Sequence, residues 1–415
     1  MLVRTVGGRP GTAVGRADPA IVPRLERPGA AELAPLAVAV AVLAAMGVAI
    51  AVLAVTGGLS PAANGLFDPG VLVRVGLPAA RAVHDLSAAL TIGLLVMAAW
   101  FVAPESGTSD ETLSGSRQWL VRAAVTTSVV WLGSAAAVVA FEAADVAAMP
   151  VGSAGYGAVL LSFVTQVPLG GALGISLLLV MLVASLAMVA SRIQTVAWAA
   201  ALSLVALLPL ALGGHASGSE DHMNAVDSLA LHLLSVCLWL GGLAALLLVA
   251  RRLGGQLEVV AGRYSRLAGF CFVAVAASGV INAVVRIGTV ANLLTAYGVL
   301  VIGKLTALGL LGAAGLMHRR VTLRRLGHDR SWFVRLAAGE LIVMGATVGL
   351  AVALSRSAPP SVTSSTAHLD ARRGSRRAGN PRELHHPGAG VHAEHQSQSH
   401  AGAPCAADRG EPDQA

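Results

Sequence analysis

Nine stretches of this sequence, each about 20 residues of predominantly apolar side chains, leave it very few folds. A helix of that length crosses the hydrocarbon core of a bilayer, which is about 30 Å thick. Inside lipid the backbone must satisfy its own polar groups, so each run is read as a helix. The spans are predicted near 34–56, 79–103, 119–143, 170–190, 196–213, 226–250, 264–286, 298–317 and 333–355. The stretch 150–168, broken by Pro150 and Pro168, is expected to be a loop with an interfacial turn. An ordinary soluble domain is excluded by a chain that is 55% hydrophobic and 12% charged, with a mean hydropathy of +0.72. The expected class is all-α, a polytopic integral membrane protein of about nine transmembrane helices. Residues 33–356 form its membrane domain, between an N-terminal segment 1–32 and a tail 357–415.

Charge orients the set. The formal excess of 7 positive charges is almost all arginine, Lys304 being the only lysine. In a chain this apolar such an excess reports topology rather than nucleic acid, and no nucleic-acid partner is expected. Arg251, Arg252, Arg263 and Arg266 flank the loop after the sixth span, and Arg319, Arg320, Arg324, Arg325 and Arg330 fill the loop after the eighth. Loops 146–169 and 214–225 contain neither Lys nor Arg. The positive-inside rule then places the N-terminus in the cytoplasm and, with an odd count of spans, the C-terminus outside. Residues 1–30 hold five arginines and no compact apolar core, so no cleaved signal peptide is expected. Cys237, Cys271 and Cys405 have no paired spacing, which points to neither a disulfide framework nor a CxxC site.

With that orientation the polar groups of the spans gather in the outer leaflet. The segment "GGHASGSEDHMNAVDSLALHLLSVCLWLGG" (213–242) carries His215, His222, Met223 and His232, soft metal-type ligands where a polar loop passes into a helix. His215, His222 and Met223 fall in the external loop, with Glu220 and Asp221, while His232 lies about 9 Å down the following helix. His84 is expected at a similar depth, since the second span also enters from outside. Glu142 and Asp145 close the outer end of the third span; Ser278, Asn282 and Arg286 make a stripe on the seventh; Lys304 falls in the outer third of the eighth. Polar side chains in hydrocarbon are expensive, so this gathering points to a hydrated or metal-binding cavity open to the outside. Ser228, His232, Ser235 and Trp239 line one helix face, whereas Cys237 lies about 140° from His232 and is a poor co-ligand for it.

Two of the entering helices are alike. "HDLSAALTIG" (84–93) and "HLLSVCLWLG" (232–241) share H-x-L-S-x-x-L-x-x-G, and Arg122 and Ser134 align with Arg266 and Ser278. Both helices run outside to inside, so the nine spans resolve as one extra helix plus two parallel four-helix repeats. Chance similarity between Leu- and Ala-rich helices is the competing reading.

The "GGHA" loop, "LALHLLSVCLWLGGL" (229–243), "RYSRLAGFCFVAVAASGVINAVVRIG" (263–288) and "YGVLVIGKLTALGLLGAAGLMHRR" (297–320) resemble the copper-resistance CopD family of membrane proteins. The H-x₆-W-x-G-G and Y-G-x₅-K-L elements carry the resemblance, which is densest over 205–355. It implies copper handling at a bacterial-type cytoplasmic membrane, in particular uptake of periplasmic or extracellular copper. A periplasmic or extracellular copper-binding protein is then an expected partner beside the lipid bilayer. In some bacteria such a domain is fused ahead of one resembling cytochrome c oxidase assembly proteins. Here "VALSRSAPP" (352–360) is followed by an Arg/His/Pro-rich tail with no apolar segment, so no role of a fused domain is expected. The tail's His368, His385, His386, His392, His395 and His400 read either as a copper-collecting arm or as a disordered extension.

Copper suits this set of residues. Cu(I) favours thioether and imidazole, and Cu(II) accepts imidazole and carboxylate. His215, His222 and Met223 are expected to receive the ion at the mouth, and His84 and His232 to hold it below. For each intramembrane histidine the competing reading is a hydrogen bond to a neighbouring helix. Glu142, Asp145, Asn282, Arg286, Lys304 and Trp239 are the transport-path or gating candidates, with Lys304 also a possible ion-pair partner for Glu142 or Asp145. Two further classes stay open: delivery of copper to a cytochrome c oxidase assembly protein, and b-type haem electron transfer with His84 and His232 as axial ligands. No P-loop, nucleophile elbow or HExxH occurs, so neither an enzyme nor an ATP-driven pump is expected.

Overall fold

The computed structural model describes residues 30–61, 67–104, 115–212, 222–287, 294–317 and 330–356, with Leu113 and Arg320 besides. These form the helices α1 (Ala30–Val55), α2 (Val71–Val96), α3 (Gly115–Val146), α4 (Tyr156–Gln166), α5 (Pro168–Val189) and α6 (Ile193–Val205). They continue with α7 (Leu208–Leu212), α8 (His222–Val249), α9 (Leu257–Ile287), α10 (Ala296–Met317) and α11 (Arg330–Ser355). A π-helical turn, Met97–Phe101, extends α2. Among the described residues nine helices are long and apolar enough to cross a membrane, α6 and α7 counting as one, and the chain is an all-α multi-pass membrane protein.

Three boundaries differ from the sequence reading, each for a local reason. α2 starts at Val71 rather than near 79, with Pro78 inside it. Asp68 anchors the approach to that start, accepting from the Gly70 N–H at 2.7 Å and from the Arg74 guanidinium, and Val73 and Leu77 are buried beneath. The stretch 150–168, read as a loop, contains the helix α4. The Tyr156 hydroxyl donates to the Ala140 carbonyl at 2.6 Å, and Phe163 is buried beside Leu173 of α5, which gives a short helix a face to dock. The fifth span breaks at Ala206 and Leu207, where Pro209 removes a backbone donor. The Ser176 hydroxyl on α5 donates to the Ala206 carbonyl at the break, at 2.8 Å.

Packing sorts the spans into two sets. α2 packs on α3, α3 on α5, α5 on α6, and α6 returns to α2; likewise α8 packs on α9, α9 on α10, α10 on α11, and α11 returns to α8. The sets meet along α2 and α8, and α1 docks chiefly on α11. α2 and α8 are the inner helices: 78% and 61% of their apolar windows are buried, against 11% for α10.

The α1–α11 contact is made of small residues. Ala37, Ala41, Ala45 and Ala49 form a buried stripe on α1, and Gly345 and Gly349 oppose it. A Cβ at Gly345 would fall on the Ala41 carbonyl, and one at Gly349 on the Ala45 carbonyl. Close backbone approach of this kind drives helix association where lipid removes the hydrophobic incentive. Gly345→Leu with Gly349→Leu is expected to cost about 1–3 kcal/mol per site and to release α1 first. Denaturant unfolding in detergent, with proteolysis near residue 60, reads both effects.

Candidate functional site

The two histidine-bearing helices cross at matching glycines. A Cβ at Gly93 would fall on the Gly241 carbonyl group, and one at Gly241 on the Ala89 carbonyl. The helices run in the same direction: Asp85 lies near enough to Cys237 to act on it electrostatically, and at the far end the Ala103 N–H donates to Gln256 Oε1 at 3.2 Å. His84 stands nine residues before Gly93 and His232 nine before Gly241. At 1.5 Å per residue both imidazoles therefore lie about 13 Å from the crossing, toward the same end of the bundle.

Each histidine turns to the antiparallel helix that follows its own. His84 is buried, and its Nε2 accepts from the Trp131 indole N–H on α3 at 3.1 Å. Its Nδ1 lies 3.0 Å from Asp85 Oδ1. With Nε2 accepting, Nδ1 carries the proton and donates to Asp85, so both ring nitrogens are engaged. About two turns below, the Thr91 hydroxyl donates to Thr127 at 2.9 Å, extending the polar seam between α2 and α3.

His232 is half-buried and set differently. Its Nδ1 lies 2.9 Å from the Ser278 hydroxyl on α9, and that hydroxyl donates to the Ala274 carbonyl at 2.6 Å. With its hydrogen on the Ala274 carbonyl, Ser278 offers a lone pair, for which His232 Nδ1 is the matching donor. In that tautomer the Nε2 lone pair is the ligand position, the arrangement by which hydrogen-bonded neighbours orient metal-binding histidines. Gly279 leaves the ring edge uncrowded, since a Cβ there would stand 4.0 Å from His232 Cε1. Lys304 of α10 lies close enough for its charge to be felt at His232. Cys237 is buried on the Asp85 side, away from this face, as its angular position on the helix requires.

The other polar candidates separate. Glu142 is bound by Arg81 of α2, and Arg81 Nη1 also donates to Ser355 Oγ at 3.0 Å. Asp145 is bound by Arg356 through contacts of 3.2 and 3.3 Å. These arginines, rather than Lys304, are the partners of the two carboxylates. Trp239 stacks edge-on against Phe272 at 5.6 Å and accepts the Tyr264 hydroxyl on its carbonyl at 2.6 Å. It heads a half-open cavity of about 580 Å³ between α8, α9, α10 and α11, with Glu340 in the wall.

His215, with Glu220 and Asp221, lies outside the described residues, as do the side chains of His222, Met223, Asn282 and Arg286 and the histidines of 357–415. The backbone of α8 begins at His222, so His222 and Met223 belong to its first turn rather than to a loop. His222 is then about 15 Å of helix above His232, too far to share one ion with it. Among the described residues no three His, Cys, Asp or Glu side chains converge. Among the described residues the spans other than α2 and α8 carry no histidine, so an axial partner on a third helix, which the haem alternative calls for, is not among them.

Four participants were not read from the sequence. Asp85 adjoins His84 and differs from the Leu233 that follows His232; that mismatch in the repeat was its signal. Trp131 stands three residues before Ser134, already aligned with Ser278. Arg81 and Arg356 lie at span ends, where arginine is ordinarily ascribed to topology.

Residues 72–225 match the family described as the copper resistance protein D-like N-terminal domain, and residues 258–354 match copper resistance protein D. No curated protein and no solved structure is matched.

Proposed function

The chain belongs to the copper resistance protein D family, membrane proteins of copper resistance and homeostasis, and from that premise we propose that it carries copper inward across the cytoplasmic membrane. The ion is cargo, and His232 is its intramembrane ligand. The observation that carries this reading is the Ser278 hydroxyl 2.9 Å from His232 Nδ1; while it donates to the Ala274 carbonyl it favours the tautomer with the Nε2 lone pair open at a half-buried position. His222 and Met223, a full 15 Å of helix above by about 1.5 Å per residue, suit a separate receiving station at the mouth. The basic loops that follow α8 and α10 support an orientation with the histidine end outside and the N-terminus in the cytoplasm. Lys304 near His232 keeps the ion from resting too firmly, as passage requires binding weak enough to release. His84, with Trp131 and Asp85 on its two nitrogens, supports the site from the matching helix and takes the ion only if the indole moves away.

The test is copper binding by the purified chain, with an optical spectrum for haem. Copper bound without a Soret band is expected, with about one equivalent fewer in His232→Ala. Ser278→Ala is expected to weaken binding about 10- to 100-fold while leaving the ligand in place. A haem spectrum abolished by His84→Ala and His232→Ala would sink the copper reading. Copper bound by the chain but not entering vesicles would transfer the proposal to delivery of copper to an oxidase assembly partner.

A further inference from the structure

The cavity between α8, α9, α10 and α11 opens at the side of the bundle. Its rim is Val273 of α9, 64% exposed, with Gly309, Ala313 and Leu316 of α10, which are exposed as well. Gly309, Ala313 and Leu316 follow i, i+4, i+7 and so form one edge along α10. Toward His232 the space is closed by Trp239 against Phe272. Its other end lies with Ala261 near the start of α9 and Leu316 near the end of α10, on the side of the basic loops.

In a membrane a side opening of this kind faces acyl chains. A chain that enters gives the walls the dispersion contacts that a void denies them. The volume of about 580 Å³ suits a ligand of that bulk, since small-molecule sites run from about 300 to 1,000 Å³. The polar groups of the wall are set back from the rim. The Tyr264 hydroxyl donates to the Trp239 carbonyl, and Glu340 is buried on α11.

Charge marks which lipid fits. Arg266 is exposed seven residues before Val273, on the same face of α9 and about 10 Å nearer the basic end. Arg320 is exposed just past the end of α10, four residues after Leu316. The exposed Glu258 stands eight residues before Arg266, about 12 Å further along α9. Basic groups between spans, next to an apolar recess, are how membrane proteins hold anionic headgroups.

We propose that the cavity is a lipid site, taking one acyl chain of an anionic phospholipid from the leaflet on the side of the basic loops. The chain enters between α9 and α10 and ends below Trp239, and the phosphate is held by Arg266 and Arg320. Neither His232 nor copper takes part, so the site stands apart from the transport reading.

Native mass spectrometry of the full chain in detergent tests this, with phosphatidylglycerol and phosphatidylcholine of identical acyl chains in competition. One phosphatidylglycerol is expected to be retained in preference. Arg266→Ala should weaken its binding about 5-fold, and Arg266→Ala with Arg320→Ala about 25-fold, at about 1 kcal/mol for each arginine. Gly309→Leu with Gly315→Leu should abolish retention with both arginines intact. A Cβ at either glycine meets nothing within 4 Å, so these side chains fill the recess without displacing a neighbour. Ala313→Leu at the rim is a second block should the glycine pair perturb folding, which thermal unfolding in the same detergent reads. Equal retention of the two lipids overturns the proposal. So does phosphatidylglycerol that is lost with the arginines but kept in both blocked variants, because it then lies on the charged surface alone. A dimer without lipid that the blocked variants dissociate overturns it too, by giving the recess to a second copy of the chain.

Discussion

Gly241→Ala is expected to destabilise the protein by about 3 kcal/mol or more, the upper end of what overpacking costs, although it adds one methyl group. The Cβ of the alanine would fall on the Ala89 carbonyl, and this is backbone rather than the end of a flexible side chain. That carbonyl accepts the Gly93 N–H within α2, so it cannot swing aside without losing a helical hydrogen bond in an apolar setting. The helices must therefore separate, and the two histidines lose the common depth that the crossing imposes. Gly93→Ala meets the Gly241 carbonyl in the same way. Once either methyl has forced the helices apart the second has less to displace, so the double variant is expected to fall short of the sum. Denaturant unfolding in detergent gives the stability, and copper binding by the same samples gives the effect on His232. An alanine variant as stable as the parent would mean that the crossing is looser than its geometry implies.

The spans were legible because lipid imposes a long, easily recognised pattern. Every predicted apolar run is a helix long and apolar enough to cross a membrane, and the errors fall where another helix decides the outcome. The α4 stretch looked like a loop between two prolines, yet Tyr156 and Phe163 find partners on α3 and α5 that no local pattern announces. The H-x-L-S-x-x-L-x-x-G pattern was readable as similarity, but only the fold shows its use, with the shared glycine as the contact and the shared histidine held at equal distance from it. What each histidine touches was not readable. The same motif leads His84 to an indole donor and His232 to a hydroxyl acceptor, because the residues opposite come from α3 and α9, and these helices align loosely. The burial of Glu340 was likewise not readable. Its burial in a cavity wall depends on how α10 stands off from α9, which hydropathy does not record.

Arg81→Ala is expected to cost about 3–5 kcal/mol, the range for removing one partner of a buried ion pair. The Glu142 side chain is 5% exposed, and Arg81 is the charge that meets it; the same guanidinium reaches Ser355 at 3.0 Å and so joins α2, α3 and α11. Without it the carboxylate is left in a nearly dry position, which is where most of the loss arises. Arg81→Lys is not expected to rescue, because a single ammonium cannot serve the carboxylate and the serine at once. Arg81→Ala with Glu142→Leu, by contrast, should recover most of the stability, since no buried charge remains uncompensated. The neighbouring pair supplies the contrast. Asp145 is 29% exposed, and its contacts to Arg356 are long at 3.2 and 3.3 Å, so Arg356→Ala should cost no more than about 1 kcal/mol. In the sequence Glu142 and Asp145 are indistinguishable, two acids three residues apart at the end of one span. Thermal unfolding of the four variants in one detergent separates them. Equal losses for Arg81→Ala and Arg356→Ala would show that burial of Glu142 is not what makes its pair matter.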